Sequence, residues 1–380
     1  MAVGVVAEFN PFHNGHKYLL NEAKKCTNES IVAIMSGAFV QRGGIAVTDK
    51  YTRARAAILN GADLVLELPV IFSHNTAQKF ASGAIYTLHA TGIINTLAFG
   101  SESGQTDSLN TAADILINEP KEVSEKIKSL MADGISYPSA REKAFRGYIN
   151  TSVLSTPNDI LAIEYLRSSK EIGANFKPIA IKRIGADHDS ETVRESTASA
   201  SEIRRRLFVG ADTKSFMPGY EFSVYNPELL DNAVLSNLRL ISPAQLSAIN
   251  EVGEGLENKF IKSAKETSSV ADLCMAVKSK RYTLSRIRRI AYSALLGITK
   301  EIANLQPSYI RVLAMNDNGK SLLKEMKETA TLPIIVKPAD YKGDAIFNIN
   351  QRAEDIFALC ATDKTKRLGG TDIKTTPFIL

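Results

Sequence analysis

Two histidines, His13 and His16, flank an asparagine and a glycine in the stretch Glu8-Phe9-Asn10-Pro11-Phe12-His13-Asn14-Gly15-His16. Each imidazole can donate a ring N–H to a phosphate oxygen. Gly15 carries no Cβ, so the backbone can approach a nucleotide closely. The elements on either side suit that chemistry. Ala2 to Ala7, with Val3, Val5 and Val6, reads as a buried strand, and Lys17 to Lys25 presents Tyr18, Leu19 and Ala23 at helical spacing. Pro11 and Gly15 mark the turn between them. A strand, a tight turn and a helix start form an anion cradle, because unpaired backbone N–H groups and the positive end of the helix dipole face the ligand.

At 380 residues the chain has room for two or three domains and a sizeable core. Hydrophobic residues make up 44% and charged residues 23%, which fits a globular protein. The net charge of +5 is compatible with a polyanionic partner without demanding one. Cys26, Cys274 and Cys360 are far apart and odd in number, which argues for a reducing compartment and against a disulfide framework or zinc cluster. The apolar N-terminal run meets Glu8 after Ala7 and lacks a basic leader, and no apolar run approaches the ~20 residues needed to span a bilayer. A cytoplasmic protein without membrane attachment is expected.

Apolar strand-like runs alternate with helical patterns along the first half. Ile31 to Met35, Leu64 to Leu68, Leu97 to Gly100 and Ile179 to Ile184 read as strands. Asp49 to Leu59, Thr76 to His89 and the stretch opening at Pro157-Asn158-Asp159 read as helices. This rhythm predicts an α/β fold, a Rossmann-like parallel sheet with helices on both faces. In such sheets the ligand lies beyond the carboxyl ends of the strands, where the histidine loop, Ser36-Gly37 and Gly100 are expected to converge. Asp107 to Asp133 reads as a polar helical insertion, extending over about 105–150. The polar stretch 185–198 reads as mobile, and Ser199 with Glu202 forms the capping-box pattern of a following helix. Breakers at Met217-Pro218-Gly219 and Asn226-Pro227 predict a boundary near 215/216. It would separate the α/β domain that carries the histidine loop (1–215) from a mainly helical α+β region (216–380) without repeats or heptads.

Ordered motifs carry a resemblance. The stretch from Glu8 to His16 resembles the first motif of the bacterial tRNA(Met) cytidine acetate ligases, members of the HxGH nucleotidyltransferase superfamily. So do Met35-Ser36-Gly37 with Gln41-Arg42-Gly43, Asp63-Leu64-Val65 with Glu67-Leu68-Pro69, and Phe99-Gly100-Ser101-Glu102. Pro157-Asn158 with Ile160-Leu161, and Lys182-Arg183, match as well. The similarity runs from Val3 to about Arg204 and recurs weakly at Lys280-Arg281-Tyr282-Thr283. The chain departs from the pattern at Gly44-Ile45, where the family carries Glu-Pro. Around Asp187-His188-Asp189 it lacks the usual tyrosine or second histidine.

The resemblance implies an enzyme. ATP and acetate would give acetyl-adenylate and pyrophosphate, and the acetyl group would pass to the wobble cytidine of elongator tRNA(Met), forming N4-acetylcytidine. It implies His13 and His16 as the catalytic pair. Ala7, Glu8, Phe9, Asn10, Pro11, Phe12, His13, Asn14, Gly15, His16, Lys17, Tyr18, Leu19 and Leu20 would line the ATP pocket, with Gly100, Asn158 and Arg183 as further contacts. Arg204 suits the pyrophosphate side as a cation. Magnesium would arrive on the phosphates, since no His/Cys/carboxylate spacing suggests a protein-bound metal. Lys278, Lys280, Arg281, Arg286, Arg288 and Arg289 fall within twelve residues without an acid, around Tyr282. They are the candidate tRNA contacts, against the plainer reading of a solvated helix face. No protein partner is evident. Two rivals share the crevice: a nucleotidyltransferase acting on a small phosphorylated cofactor precursor, which does not need the long C-terminal region, and a non-catalytic RNA-binding protein. Retention of both histidines and both arginines argues against the latter.

Overall fold

The computed structural model describes residues 1–149, 151–183, 198–253 and 255–380. Strands β1 (Ala2–Ala7), β2 (Ser30–Ser36), β3 (Phe39–Val40), β4 (Gly44–Ile45), β5 (Leu64–Leu68), β6 (Ile94–Ser101), β7 (Lys177–Lys182), β8 (Ile310–Met315), β9 (Ile334–Ile335) and β10 (Phe378–Ile379) follow in chain order. The main sheet runs β10-β8-β5-β2-β1-β6-β7, with β9 on β8, while β3 and β4 form a separate hairpin. From β5 to β7 every neighbour pair is parallel.

The central strand explains its own position. All six residues of β1 are buried, and successive side chains alternate between the faces. Val3 and Val5 point into one layer with Leu20, Ala23, Ala54 and Ala57, beneath the helices Asn14–Thr27 and Lys50–Leu59. Ala2 and Val6 point into the opposite layer with Ile85 and Leu88 of the helix Ala77–Ala90. A strand covered on both sides needs apolar residues at every position, which is how the N-terminal run reads.

The insertion comprises three helices, Thr106–Ile117, Lys121–Ala132 and Tyr137–Ala144; Pro120 separates the first two, so the single helix over 107–133 is divided. The chain beyond Asn226 builds a helical layer, including Asp231–Leu240, Leu256–Glu266, Val270–Val277 and Leu284–Leu296. It then returns to the sheet. β8 pairs antiparallel with β5, and β10 lies parallel beyond it. The expected division at 215/216 therefore does not separate the sheet, which continues into residues on the far side of that line.

Buried charge fastens this return. Lys50 Nζ lies 2.7 Å from Glu67, 2.8 Å from Asp372 and 3.2 Å from Glu354. Arg311, opposite Glu67 in the β5–β8 register, pairs with Asp372 at 2.6 Å and donates to Tyr51 Oη at 2.8 Å. Asn350 donates to Glu67 at 3.0 Å. Lys50, Glu67 and Arg311 are all but inaccessible to solvent. Cys26 is exposed and Cys274 and Cys360 are buried, all three as free thiols. Among the described residues, no helix is long and apolar enough to cross a membrane.

Removing one member of a buried ion cluster strands its partners. Lys50→Met is expected to lower unfolding free energy by about 3–5 kcal/mol in urea titrations followed by circular dichroism. A loss below about 1 kcal/mol would show that Glu67, Asp372 and Glu354 are satisfied without the Lys50 ammonium.

Candidate active site

A cavity of about 350 Å³ opens at the carboxyl ends of β1, β6 and β7. The backbone leaves β1 through Phe9, at φ 49°. This left-handed conformation is strained for a bulky residue. The fully buried Phe9 ring holds it there, 5.0 Å from both the Phe12 and His16 rings. The chain then enters the helix Asn14–Thr27 at His13.

The two histidines form a reciprocal cap on that helix. Gly15 N–H donates to His13 Nδ1 at 3.0 Å, and His13 N–H donates to His16 Nδ1 at 3.2 Å. The rings stack with centroids 3.8 Å apart. A ring nitrogen that accepts a backbone N–H carries no proton, so each imidazole is neutral and keeps Nε2–H as a donor. Burial, reinforced by Arg183 and Arg204, holds His13 down at about 3. His16 is lowered well below the ordinary histidine value, by burial first and by His13 and Arg183 after it.

Two more helix starts meet the same space. Pro157 and Asn158 open the helix Pro157–Glu171, and Ser199, Ala200 and Ser201 open the helix Ala200–Phe208. Ser199 Oγ accepts from Glu202 N–H at 3.2 Å. The capping box is only half made, because the Glu202 carboxylate pairs with Arg205 and Arg206 instead. Arg204 donates to Asn10 O at 2.7 Å and Ser201 Oγ at 3.1 Å, which ties this helix to the histidine loop. Tyr220 Oη donates to Phe12 O at 3.0 Å, and Asn14 Nδ2 to Ser215 O at 2.9 Å.

Of the residues named from the sequence, Ala7, Glu8, Asn10, His13, His16, Leu19, Gly100, Asn158, Arg183 and Arg204 line this cavity. Phe9, Phe12 and Leu20 lie in the core beneath it. Pro11, Asn14, Gly15, Lys17 and Tyr18 are not on its wall either; Pro11 is buried and Lys17 exposed. The reason is helical geometry: only one face of the turn and first helical turns can meet the cavity while the other packs on the sheet. Ser36 and Gly37 do not reach the cavity. Their carbonyls accept from Arg53, at 2.8 and 2.6 Å, and the same fully buried guanidinium donates to Glu8 O at 2.9 Å and Thr48 O at 3.0 Å. Arg53 thus pins the ends of β1 and β2 together. The stretch 184–197, with Asp187, His188 and Asp189, lies outside the described residues.

Sequence reasoning passed over several wall residues. Gln41 and Arg42 sit on the turn of the β3–β4 hairpin, and Gln41 N–H donates to Glu8 Oε1 at 2.7 Å. Burial pushes the Glu8 carboxyl up, against the opposing pull of that hydrogen bond and of Arg204, Arg42 and Arg53. Glu102 accepts from Asn158 Nδ2 at 2.5 Å and Asp159 N–H at 3.0 Å, which fixes the Asn158 amide at the cavity edge. Glu102 and Gln41-Arg42 belonged to quoted motifs, so the signal was present. Phe80, Phe99, Leu161 and Tyr165 supply an apolar wall that looked like ordinary core. Among the described residues, no group of three or more His, Cys, Asp or Glu side chains could hold a metal ion.

The basic run divides. Lys278, Lys280, Arg281 and Arg288 are exposed. Arg286 lies over the Tyr282 ring at 4.8 Å and donates to Glu251 O at 2.8 Å. Arg289 is not on a solvated face: it is buried, paired with Glu251 at 2.6 Å, and donates to Gln41 O at 3.0 Å. His74 is a packed core histidine against Val40 O and Arg289 O, held by burial at about 3.

These histidines set a pH dependence. Their pKa values lie below the ordinary 6.5, so the unfolded chain takes up protons as pH falls through 6.5 while the folded protein does so only near 3. Their contribution to stability is therefore constant above about pH 6.5 and falls below it. Between pH 7 and pH 5 each histidine of this kind removes about 2 kcal/mol. Denaturant midpoints measured across that range are expected to flatten by about one histidine's share in His74→Gln. An unchanged slope would show that His74 titrates normally.

The HIGH Nucleotidyl Transferase family profile matches residues 1–372. The tRNA(Met) cytidine acetate ligase of Thermoanaerobacter sp. (strain X514) is 40% identical over 376 residues, which cover 94% of this chain and 93% of that protein. The enzyme of the same name from Caldanaerobacter subterraneus subsp. tengcongensis is 38% identical over 94% of this chain and 95% of its own. The crystal structure of Thermotoga maritima TmcAL bound with alpha-thio ATP superposes with a TM-score of 0.90 at 32% identity, covering both chains completely. This chain belongs to the HIGH nucleotidyl transferase family and, within it, to the tRNA(Met) cytidine acetate ligases.

Proposed function

We propose that the protein activates acetate with ATP and acetylates the N4 amine of the wobble cytidine in elongator tRNA(Met). The observation that carries this reading is the pair of neutral, backbone-locked imidazoles beside Arg183 and Arg204 in a cavity met by three helix N-termini. Three N–H-rich helix ends and two guanidiniums favour a polyanion. The apolar wall of Phe80, Phe99, Leu161 and Tyr165 suits an adenosine.

In the first step an acetate oxygen attacks the α-phosphorus, the bond from that phosphorus to the α,β-bridging oxygen breaks, and pyrophosphate leaves with the electron pair. Such a step needs developing negative charge neutralised where it forms. His13 and His16, through Nε2–H, are assigned to the phosphate oxygens, with Arg204 on the pyrophosphate side and Arg183 at the triphosphate. Because both histidines are neutral they act as hydrogen-bond donors, not as acids. Magnesium would arrive with ATP and would supply further charge neutralisation. In the second step the cytidine amine attacks the acetyl carbonyl carbon, the C–O bond to AMP breaks, and the amine gives up a proton to solvent. The exposed Lys278, Lys280, Arg281 and Arg288 are assigned to tRNA phosphates, with Arg286 and Tyr282 offering a stacking surface. The cytoplasm is the matching compartment, given the substrate and the three free thiols.

Two measurements test this. Acetate-dependent exchange of labelled pyrophosphate into ATP is expected in the wild-type protein, reduced about 10²–10³-fold by His13→Ala or His16→Ala; wild-type exchange in the double variant would remove the assignment. Replacing Lys278, Lys280 and Arg288 together by alanine is expected to weaken tRNA(Met) binding and lower the slope of log K against log salt by about three. A parallel loss of pyrophosphate exchange would count against a phosphate-gripping role.

A further inference from the structure

A second cavity, of about 600 Å³, adjoins the first. Three elements border both. Gln41 lines each of them. The helix Ala77–Ala90 offers Phe80 to the first and Ala77 to the second. The helix Pro157–Glu171 turns Leu161 and Tyr165 to the first, and Ile160, Glu164 and Arg167 to the second. The hairpin turn between β3 and β4 is wedged at this junction. Gly43, at φ +79°, sits so close to the helix Leu284–Leu296 that a Cβ there would meet Ser285 O and Arg289 N within 2.8 Å.

The second cavity has a composition of its own. Ala77, Met131 and Ile160 give it apolar walls, and Arg281 and Arg286 stand at its rim. The Arg286 guanidinium above Tyr282 makes a flat cationic face of the kind on which unstacked bases lie. In the wall sits Glu164, 3% exposed. Its Oε1 accepts from Arg141 at 3.0 Å, whereas its Oε2 is buried and receives no hydrogen bond among the described residues; Arg167 Nη1 lies 3.9 Å from it. A buried carboxylate oxygen without a donor is unfavourable, so a ligand that brings an N–H there gains affinity.

We propose that this cavity receives an unstacked, amine-bearing nucleobase of the RNA substrate, whose exocyclic N–H is donated to Glu164 Oε2. The proposal rests on the RNA-acetylating function proposed above and names the place where that RNA inserts a base. A carboxylate selects cytosine or adenine over uracil because only the former carry an exocyclic amine. The arginine rim complements the phosphates on either side of the flipped nucleotide.

The test uses RNA hairpins bearing the loop sequence CAU, and twins with the loop cytidine replaced by uridine or the adenosine by purine riboside. Fluorescence anisotropy reads their binding to the full-length protein. One replacement is expected to weaken binding by about tenfold, and Ala77→Phe, which fills the cavity, and Glu164→Gln are each expected to shrink that discrimination to about twofold or less. Should Ala77→Phe lower the melting midpoint, Ile160→Phe fills the same space from the opposite wall. Equal affinity for all hairpins, or undiminished discrimination in the filled variants, overturns the proposal. Acetate-dependent pyrophosphate exchange is read on the wild-type protein in parallel. Its absence would remove the activation reading, while the hairpins would still decide what the second cavity holds.

Discussion

Two imidazoles that accept from each other's backbone turn govern the geometry of the first cavity. The helix Asn14–Thr27 has orphan N–H groups at its start, as every helix does. Most helices satisfy them with a serine, threonine or acidic side chain, which is spent on the task. A histidine uses only one of its two ring nitrogens for it. His13 and His16 therefore close the helix end through Nδ1 and still present Nε2–H outward. Protonating either ring at Nδ1 would break the cap, so the cap and the burial around it act in the same direction on the charge state. A carboxylate cap would have placed a negative charge at the cavity wall; this one leaves donors there.

Holding such a cap in register requires strand ends that do not drift, and buried cations supply that restraint. Arg53 donates to carbonyls from Glu8, Ser36, Gly37 and Thr48, gathering the ends of β1 and β2 on one guanidinium. Lys50, three residues earlier on the same helix, does the analogous work toward the C-terminal residues through Glu67 and Asp372. Hydrophobic substitutes could match such clusters in stability. They could not dictate which strand ends meet, because apolar contact has no direction whereas a guanidinium fork does.

The parts of this architecture that were legible in sequence are those governed by short periods. The buried β1 run, the continuous apolar run of β2 and the His-x-Gly-His spacing are each set within a few consecutive residues, and local geometry translates them directly. What escaped was decided over long separations. The aromatic residues of the first motif, Phe9 and Phe12, read as ligand contacts, but the sheet beneath claims them. Arg289 reads as one more charge in a basic run, but Glu251 and the Gln41 carbonyl occupy it. The boundary near 216 followed real chain breakers, yet β8 and β10 return across it to the first sheet. Gln41 and Glu102 stood inside recognised motifs, but nothing local says that one reaches Glu8 and the other Asn158.

The antiparallel seat of β8 on β5 has a consequence for synthesis. While a nascent chain is being made, β5 can pair with β2 early, since only residues 30–68 need to have emerged. Its other side stays bare until Ile310–Met315 leave the ribosome, far later. For that interval the growing polypeptide carries a short, fully apolar-flanked edge with Glu67 at its open side, a buried carboxylate whose arginine does not yet exist. With Lys50 already made and Arg311 still absent, this charged residue on the bare strand disfavours docking of a foreign strand, so the residue that later locks the sheet also guards it while it is incomplete.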